Sequence, residues 1–206
     1  LALQLLMQNE KKKTAEQVAE AFIQPDKGVE TAEDALQGAR DILAEQFSDY
    51  ADARKKLREL AFRTGVLESK KAKDKDSVYS MYYDFSQEVR NLPGHRILAV
   101  TRGEREEFLK VTIRMEEAAS VGILERAFVR EGSTTTQQVK AACQDAWERL
   151  IEPSLEREVR AELTDRAGTA AIQVFGKNLH QLLMAPPVKG KVTLGVDPGF
   201  RTGCKL

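Results

Sequence analysis

Apolar residues recur at helical spacing along most of this 206-residue chain, and this periodicity limits the possible folds more than any other feature. In one stretch Leu36, Leu43 and Phe47 fall on the same face of a helix, and the stretch from Thr136 to Leu163 repeats the pattern over a longer distance. Amphipathic helices of this kind bury their apolar faces against one another. The sequence therefore predicts a mainly α fold, a multi-helix scaffold, in a chain long enough to form a real core.

Polar residues and one proline indicate where individual helices begin. Thr14 is followed three residues later by Gln17, which is the spacing of a capping box, and Thr31 and Asp34 are candidate caps for the next helix. Pro153 lies inside a long periodic stretch. Because proline lacks a backbone N–H and clashes with the preceding turn, we expect it to kink or restart that helix.

The helical pattern is interrupted in the middle of the chain. Between residues 107 and 114 β-branched and polar residues alternate, which predicts one isolated strand. The highly charged run from Glu68 to Asp76 has no apolar anchor and is predicted to be a loop. An aromatic cluster follows in a helix-like context, where packing in a core is favoured over the stacking of nucleic-acid bases. Its members are Tyr79, Tyr82, Tyr83 and Phe85.

The charge balance excludes a chain that is drawn to nucleic acid or to a membrane surface by its overall charge. The 32 basic and 32 acidic residues give a formal net charge of zero, so any contact with nucleic acid must be local. The candidate residues for such a contact are Lys70, Lys71, Lys73 and Lys75, which follow a basic segment over residues 54–63. Acidic residues among them favour the alternative of a solvated surface.

No group of residues is spaced for a metal ion or a cofactor. Cys143 and Cys204 are far apart, and neither His95 nor His180 has a second ligand at metal-binding spacing. We therefore predict no cofactor and no metal, and a buried inert thiol at Cys143. No apolar run approaches the roughly 20 residues of a membrane span, and no export signal is evident, which predicts a cytoplasmic protein without membrane contact.

The C-terminal part begins with a last helix and ends in a short strand. Residues 171–183 carry an apolar stripe that predicts a buried helix face. Residues 192–196 have the pattern of a strand, Asp197 stands at its end, and Pro198 and Gly199 suit a type II turn. A carboxylate at a strand end is where divalent-metal sites for phosphodiester hydrolysis begin, but one carboxylate is insufficient.

The segment from Gly195 to Lys205, Gly-Val-Asp-Pro-Gly-Phe-Arg-Thr-Gly-Cys-Lys, resembles the opening strand of the YqgF, or RuvC-like, ribonuclease-H-fold domain of Tex proteins. Upstream stretches are similar to the same family and occur in the family's order, so the resemblance covers nearly the whole chain. These stretches are residues 38–45, 56–60, 92–103 and 153–158.

This resemblance implies a division into three parts. A central helical domain, truncated at its N-terminus, would span residues 1–185, and a linker would span residues 186–190. The truncated opening strand of the YqgF domain would occupy residues 191–206. Because a lone strand cannot satisfy its backbone groups within a sheet, we expect this last part to be disordered, paired with another chain or packed by local contacts.

The resemblance also implies a function. It predicts a bacterial transcription accessory protein that binds nucleic acid mainly through modules outside this chain, with RNA polymerase or ribosomal components as candidate protein partners. Asp197 matches the first metal-binding carboxylate of RuvC-like domains, but the others would lie beyond Leu206, so we expect a vestigial metal-binding position and no enzyme. Two alternatives stay open, a RuvC-like nuclease or resolvase and a protein-interaction scaffold that docks on the transcription machinery.

Overall fold

The computed structural model describes residues 1–75, 77–186, 188–199 and 203–205, and it confirms a predominantly helical fold. None of the helices within these ranges has both the length and the hydrophobicity needed to cross a bilayer. The helices are α1 (Ala2–Met7), α2 (Ala15–Ala19), α3 (Ala32–Ser48), α4 (Ala51–Thr64), α5 (Gly94–Arg105), α6 (Glu117–Phe128), α7 (Thr136–Asp145) and α8 (Glu152–Leu183).

Both predicted N-terminal caps are present. The Thr14 hydroxyl accepts a hydrogen bond from the backbone N–H of Gln17, whose side chain accepts one in return from the N–H of Thr14. Thr31 and Asp34 form the same reciprocal arrangement at the start of α3. Each box satisfies backbone donors that the first turn of a helix leaves unpaired.

The strand predicted near residues 107–114 is not isolated, because it is one edge of a three-stranded antiparallel sheet. Its strands are β1 (Val66–Lys71), β2 (Asp84–Glu88) and β3 (Leu109–Arg114), in the order β2-β1-β3. Leu67 of β1 lies opposite Gln87 of β2 and Ile113 of β3. The predicted loop from Glu68 is therefore wrong over residues 68–71. These four residues are paired in a strand in which Ser69 is buried and Lys70 and Lys71 are exposed, and Asp76 lies outside the described residues.

The outer edge of β3 is bonded to side chains of α8. The backbone N–H of Ile113 donates to Glu156 Oε1 at 3.1 Å, and the guanidinium of Arg160 donates to the carbonyl of Val111 at 3.2 Å. Arg160 also pairs with Glu104 of α5. These bonds occupy edge groups that would otherwise be open to pairing with another strand. They also attach the sheet to the long C-terminal helix.

Two hydrophobic cores hold these elements together. The larger core lies among the helices, and its largest fully buried side chains include Phe47, Leu43, Leu124 and Trp147. The smaller core lies on one face of the sheet and confirms that the aromatic cluster is packed rather than free to stack bases. Its buried members are Leu67, Tyr79, Tyr82, Val100, Leu109 and Val111.

The backbone between α7 and α8 continues as a π-helical turn over Ala146–Ile151, and the α-helix restarts at Glu152. This confirms the restart predicted from Pro153. Because Pro153 has no N–H to donate to the preceding turn, the regular ladder cannot pass through it. The wider turn accommodates this change while keeping Trp147 and Ile151 buried.

The thiol of Cys143 is fully buried, as predicted. Burial, with a smaller contribution from Glu125, raises the pKa of this thiol to about 12. The thiolate is the reactive form, so we expect Cys143 not to react with a chromogenic disulfide reagent at neutral pH until the chain unfolds. The measurement uses a Cys204→Ser background of this chain, in which rapid labelling under native conditions would contradict the predicted burial.

The chain divides into two compact units, residues 1–170 and residues 171–206. In the second unit the prediction of a buried face on residues 171–183 is wrong. Ile172 is 72% exposed, Phe175 65% and Leu182 73%. The apolar stripe has helical spacing, but the described residues of this chain do not bury it.

The tail differs from the predicted strand. Residues 191–196 are irregular, and the short strands β4 (Asp197–Gly199) and β5 (Gly203–Lys205) pair antiparallel. The turn predicted at Pro198 and Gly199 is therefore wrong, because both residues belong to β4. Pro187 of the predicted linker, residues 200–202 of the motif and Leu206 lie outside the described residues.

Candidate functional site

Asp197, the candidate metal-binding residue, lies at the start of β4 with its side chain exposed, and its register partner in β5 is Lys205. Within the described ranges, no group of three or more His, Cys, Asp or Glu side chains has an arrangement that could hold a metal ion. Asp197 therefore belongs to no cluster of three or more such ligands within the described part of the chain.

The candidate lysines lie at the end of β1 and in the loop that follows. Lys71 forms an ion pair with Asp74 at 2.8 Å, and Lys73 pairs with Glu107. These contacts lower the pKa of both carboxyl groups. Lys70 lies on the outer face of the sheet, between Asp84 of β2 and Lys110 of β3. This surface therefore has mixed charge, which agrees with the solvated alternative.

A different part of the molecule has the shape of a binding site. A groove of about 870 Å³ lies between α4, the turn over Val89–Asn91, the start of α5 and residues 162–170 of α8. α5 begins close to α8, since a Cβ added at Gly94 would be in ordinary van der Waals contact with Ala167, at 3.5 Å. The floor of the groove is apolar and consists of Phe62, Val89, Leu92, Ile97, Leu163, Ala167 and Ala170.

The rim of this groove is positively charged. Five basic side chains and two carboxylates, Glu59 and Glu162, line it. Two further carboxylates pair with rim arginines from outside the lining, Glu158 with Arg58 at 3.1 Å and Glu88 with Arg90, so five cations face four carboxylates and one positive charge is in excess. We call this site the basic groove. Its basic residues are Lys55, Arg58, Arg63, Arg90 and Arg166.

Glu162 organises one side of the basic groove. The guanidinium groups of Arg58 and Arg166 both donate to its carboxylate, and they hold its pKa below the usual value, with Arg58 as the main cause. Both guanidiniums also lie over the ring of Phe62, at 5.7 Å and 5.1 Å from its centre. Cation–π contacts of this kind fix the direction of the charged groups. Arg58 and Arg166 are thus held in place on the rim.

Other cations of the rim are less constrained. Arg90 pairs with Glu88 at 2.8 Å, outside the groove. Lys55 and Arg63 are exposed, and neither has an ion pair with any residue that the structure describes. The sequence identified the basic segment over residues 54–63, but it did not indicate that Arg90 and Arg166 lie beside that segment in the fold. Those two residues come from elements far away in the chain, and no local pattern indicates that they meet.

The fold and its surfaces define a class of protein, a mainly helical protein with a small antiparallel sheet, an exposed apolar helix face and a local basic groove. Residues 10–175 match the family model described as Tex central region-like. The chain therefore belongs to the Tex family, and the resemblance seen in its sequence is confirmed.

Relatives of this chain are found in bacteria and in animals. It is 42% identical over 193 residues to the protein YdcI of Bacillus subtilis, covering 91% of this chain and 27% of that protein. It is 32% identical to "Protein tex" of Bordetella pertussis, over 92% of this chain and 26% of that protein. A human relative, "S1 RNA-binding domain-containing protein 1", is 34% identical over 90% of this chain and 20% of its own length. The chain spans about a quarter of the first two relatives.

Proposed function

We propose that this chain is the helical scaffold of a nucleic-acid-binding transcription accessory protein of the bacterial cytoplasm, and that it positions binding modules outside its own residues. Membership of the Tex family supports the role in transcription. The name of the human relative, which refers to an RNA-binding domain, supports nucleic acid as the partner. The neutral charge of this chain favours contacts made mainly elsewhere in the protein.

The observation that carries the scaffold proposal is the change in burial along α8. Leu155, Val159 and Leu163 are buried, whereas Phe175 and Leu182 on the same helix are largely exposed. A continuous exposed apolar face is typical of a surface that another domain or protein covers. We infer that the C-terminal half of α8 holds a further module, and the resemblance of residues 195–205 suggests that this module is the YqgF domain.

We also propose that this chain supplies no nuclease centre. Phosphodiester cleavage with two metal ions requires several carboxylates on a rigid framework, and Asp197 is one exposed carboxylate on a short ribbon. RNA polymerase and ribosomal components remain candidate protein partners. A pull-down with the whole protein, with and without nuclease treatment, separates direct protein contacts from those bridged by nucleic acid.

We expect the whole protein to bind single-stranded RNA or DNA with an affinity that falls steeply as salt is raised, because phosphate contacts release counterions. The 206-residue chain alone should bind at least about tenfold more weakly at the same salt concentration. Fluorescence anisotropy over a salt series measures both. Equal affinity of the two proteins would contradict the scaffold proposal. Metal-dependent cleavage by this chain that is lost in Asp197→Asn would instead support the nuclease alternative.

A further inference from the structure

We propose that the basic groove binds an acidic amphipathic helix of a protein partner. This inference goes beyond the scaffold function, because it assigns a binding surface to residues 55–170 themselves. It does not depend on where nucleic acid binds. Three features of the groove carry it, namely its apolar surface, two rim cations that have no ion pair with the described residues, and an aromatic ring already covered by two guanidinium groups.

The apolar floor requires an apolar ligand. Val89, Leu163 and Ala167 are already buried beneath the groove, and its accessible apolar surface comes from the half-buried Phe62 and Leu92 and the exposed Ala170. Aliphatic side chains that enter the groove would remove both surfaces from water, which is favourable in proportion to the apolar area buried. An amphipathic helix presents such side chains together, at positions i, i+3 or i+4, and i+7.

The rim requires acidic residues on the polar flanks of that helix. Lys55 and Arg63 lie one on either side of Arg58 along α4, and neither is paired within the described residues. Aspartate or glutamate side chains of a bound helix would reach them without breaking an existing ion pair. A basic or neutral partner would leave Lys55 and Arg63 without a counter-charge.

A single-stranded nucleic acid fits the basic groove less well. Binding of that kind uses exposed aromatic rings on which bases stack, whereas the ring of Phe62 already carries the guanidiniums of Arg58 and Arg166. Phosphates would also leave the apolar surface of Phe62, Leu92 and Ala170 uncovered. An acidic amphipathic helix satisfies both the charge and the floor.

The test measures binding of a fluorescent peptide to the whole protein. The probe is about 18 residues long, or about five helical turns, with leucine on one face and glutamate on the others. Lys55→Glu combined with Arg63→Glu is expected to weaken binding by about tenfold or more, because two attractions become repulsions. Lys12→Glu combined with Lys56→Glu changes the net charge equally outside the groove, and it should leave affinity within about twofold.

A second pair of variants tests the floor without changing charge. Ala170 and Thr169 are both exposed neighbours on α8, but of the two only Ala170 lines the groove. Ala170→Trp should block peptide binding, whereas Thr169→Trp should not. Circular dichroism establishes that each variant is folded.

Several outcomes would overturn the proposal. One is failure of the peptide to bind the whole protein, as when another segment of that protein already fills the groove. Another is an equal loss of peptide affinity in the groove variants and the control variants. Equally tight binding of a matched peptide with lysine in place of glutamate would also overturn it. So would loss of oligonucleotide binding in the groove variants while peptide binding is retained.

Discussion

Replacing Trp147 with alanine is expected to lower the free energy of unfolding of this chain by about 3–5 kcal/mol. The indole is 1% exposed and is among the largest fully buried side chains of the helical core. It belongs to the π-helical turn that packs against α3. Truncation would remove its apolar surface from the core and leave a cavity that the surrounding helices can fill only in part.

Urea denaturation followed by far-ultraviolet circular dichroism measures this loss, and Phe175→Ala provides a matched control. Phe175 is also a large aromatic residue on a helix, but it is 65% exposed, so its truncation should change stability by less than about 0.5 kcal/mol. A loss below about 1 kcal/mol for Trp147→Ala would contradict the packing described for the core. A large loss for Phe175→Ala would show that its side chain is covered in the isolated chain.

Features that depend on nearby residues were predictable from the sequence. The capping boxes at Thr14 and Thr31 require only three-residue spacing, and the restart of α8 follows from the chemistry of Pro153. The burial of Cys143 and Trp147 follows from their place on an apolar helix face. In each case the interaction that determines the structure lies within one or two helical turns.

The sheet was not predictable in the same way, because its pairing is between distant residues. In β1 only Leu67 is a buried apolar residue. Ser69 is also buried, and its hydroxyl donates a hydrogen bond to the carbonyl of Tyr82. The charged residues between them indicated a loop. The strand forms because β2 and β3 pair on either side of it, and a pattern confined to residues 66–71 does not contain that information.

The candidate site shows the same limit. Helical periodicity identified the apolar stripe on α8, but periodicity cannot say whether a stripe is covered by this chain or by another. The lysines at 70–75 were candidates for phosphate contact, with a solvated surface as the favoured alternative, and the pairing of Lys71 and Lys73 with acidic residues agrees with that alternative. The basic groove depends on Arg166 meeting Arg58 over Phe62, which only the packing of α8 against α4 brings about.

Gly65→Ala is expected to destabilise the chain by about 1–3 kcal/mol, although its backbone is in an ordinary extended conformation. Gly65 joins α4 to the sheet. Its N–H donates to the carbonyl of Ala61 at 2.9 Å, and its own carbonyl accepts from the N–H of Val89 at 2.9 Å. A Cβ at this position would collide with the Ala61 carbonyl oxygen, which is backbone and cannot move aside as a side chain would.

Gly38→Ala separates this steric effect from the general effect of replacing glycine. Gly38 lies within α3, and a Cβ there would meet no other atom within 4 Å, so the substitution should stabilise the helix by about 0.5–1 kcal/mol. Parallel urea denaturation of the two variants should therefore give changes of opposite sign. Stabilisation by Gly65→Ala would mean that the chain can enter β1 without the close approach to Ala61, and that glycine at this position is not required by the fold.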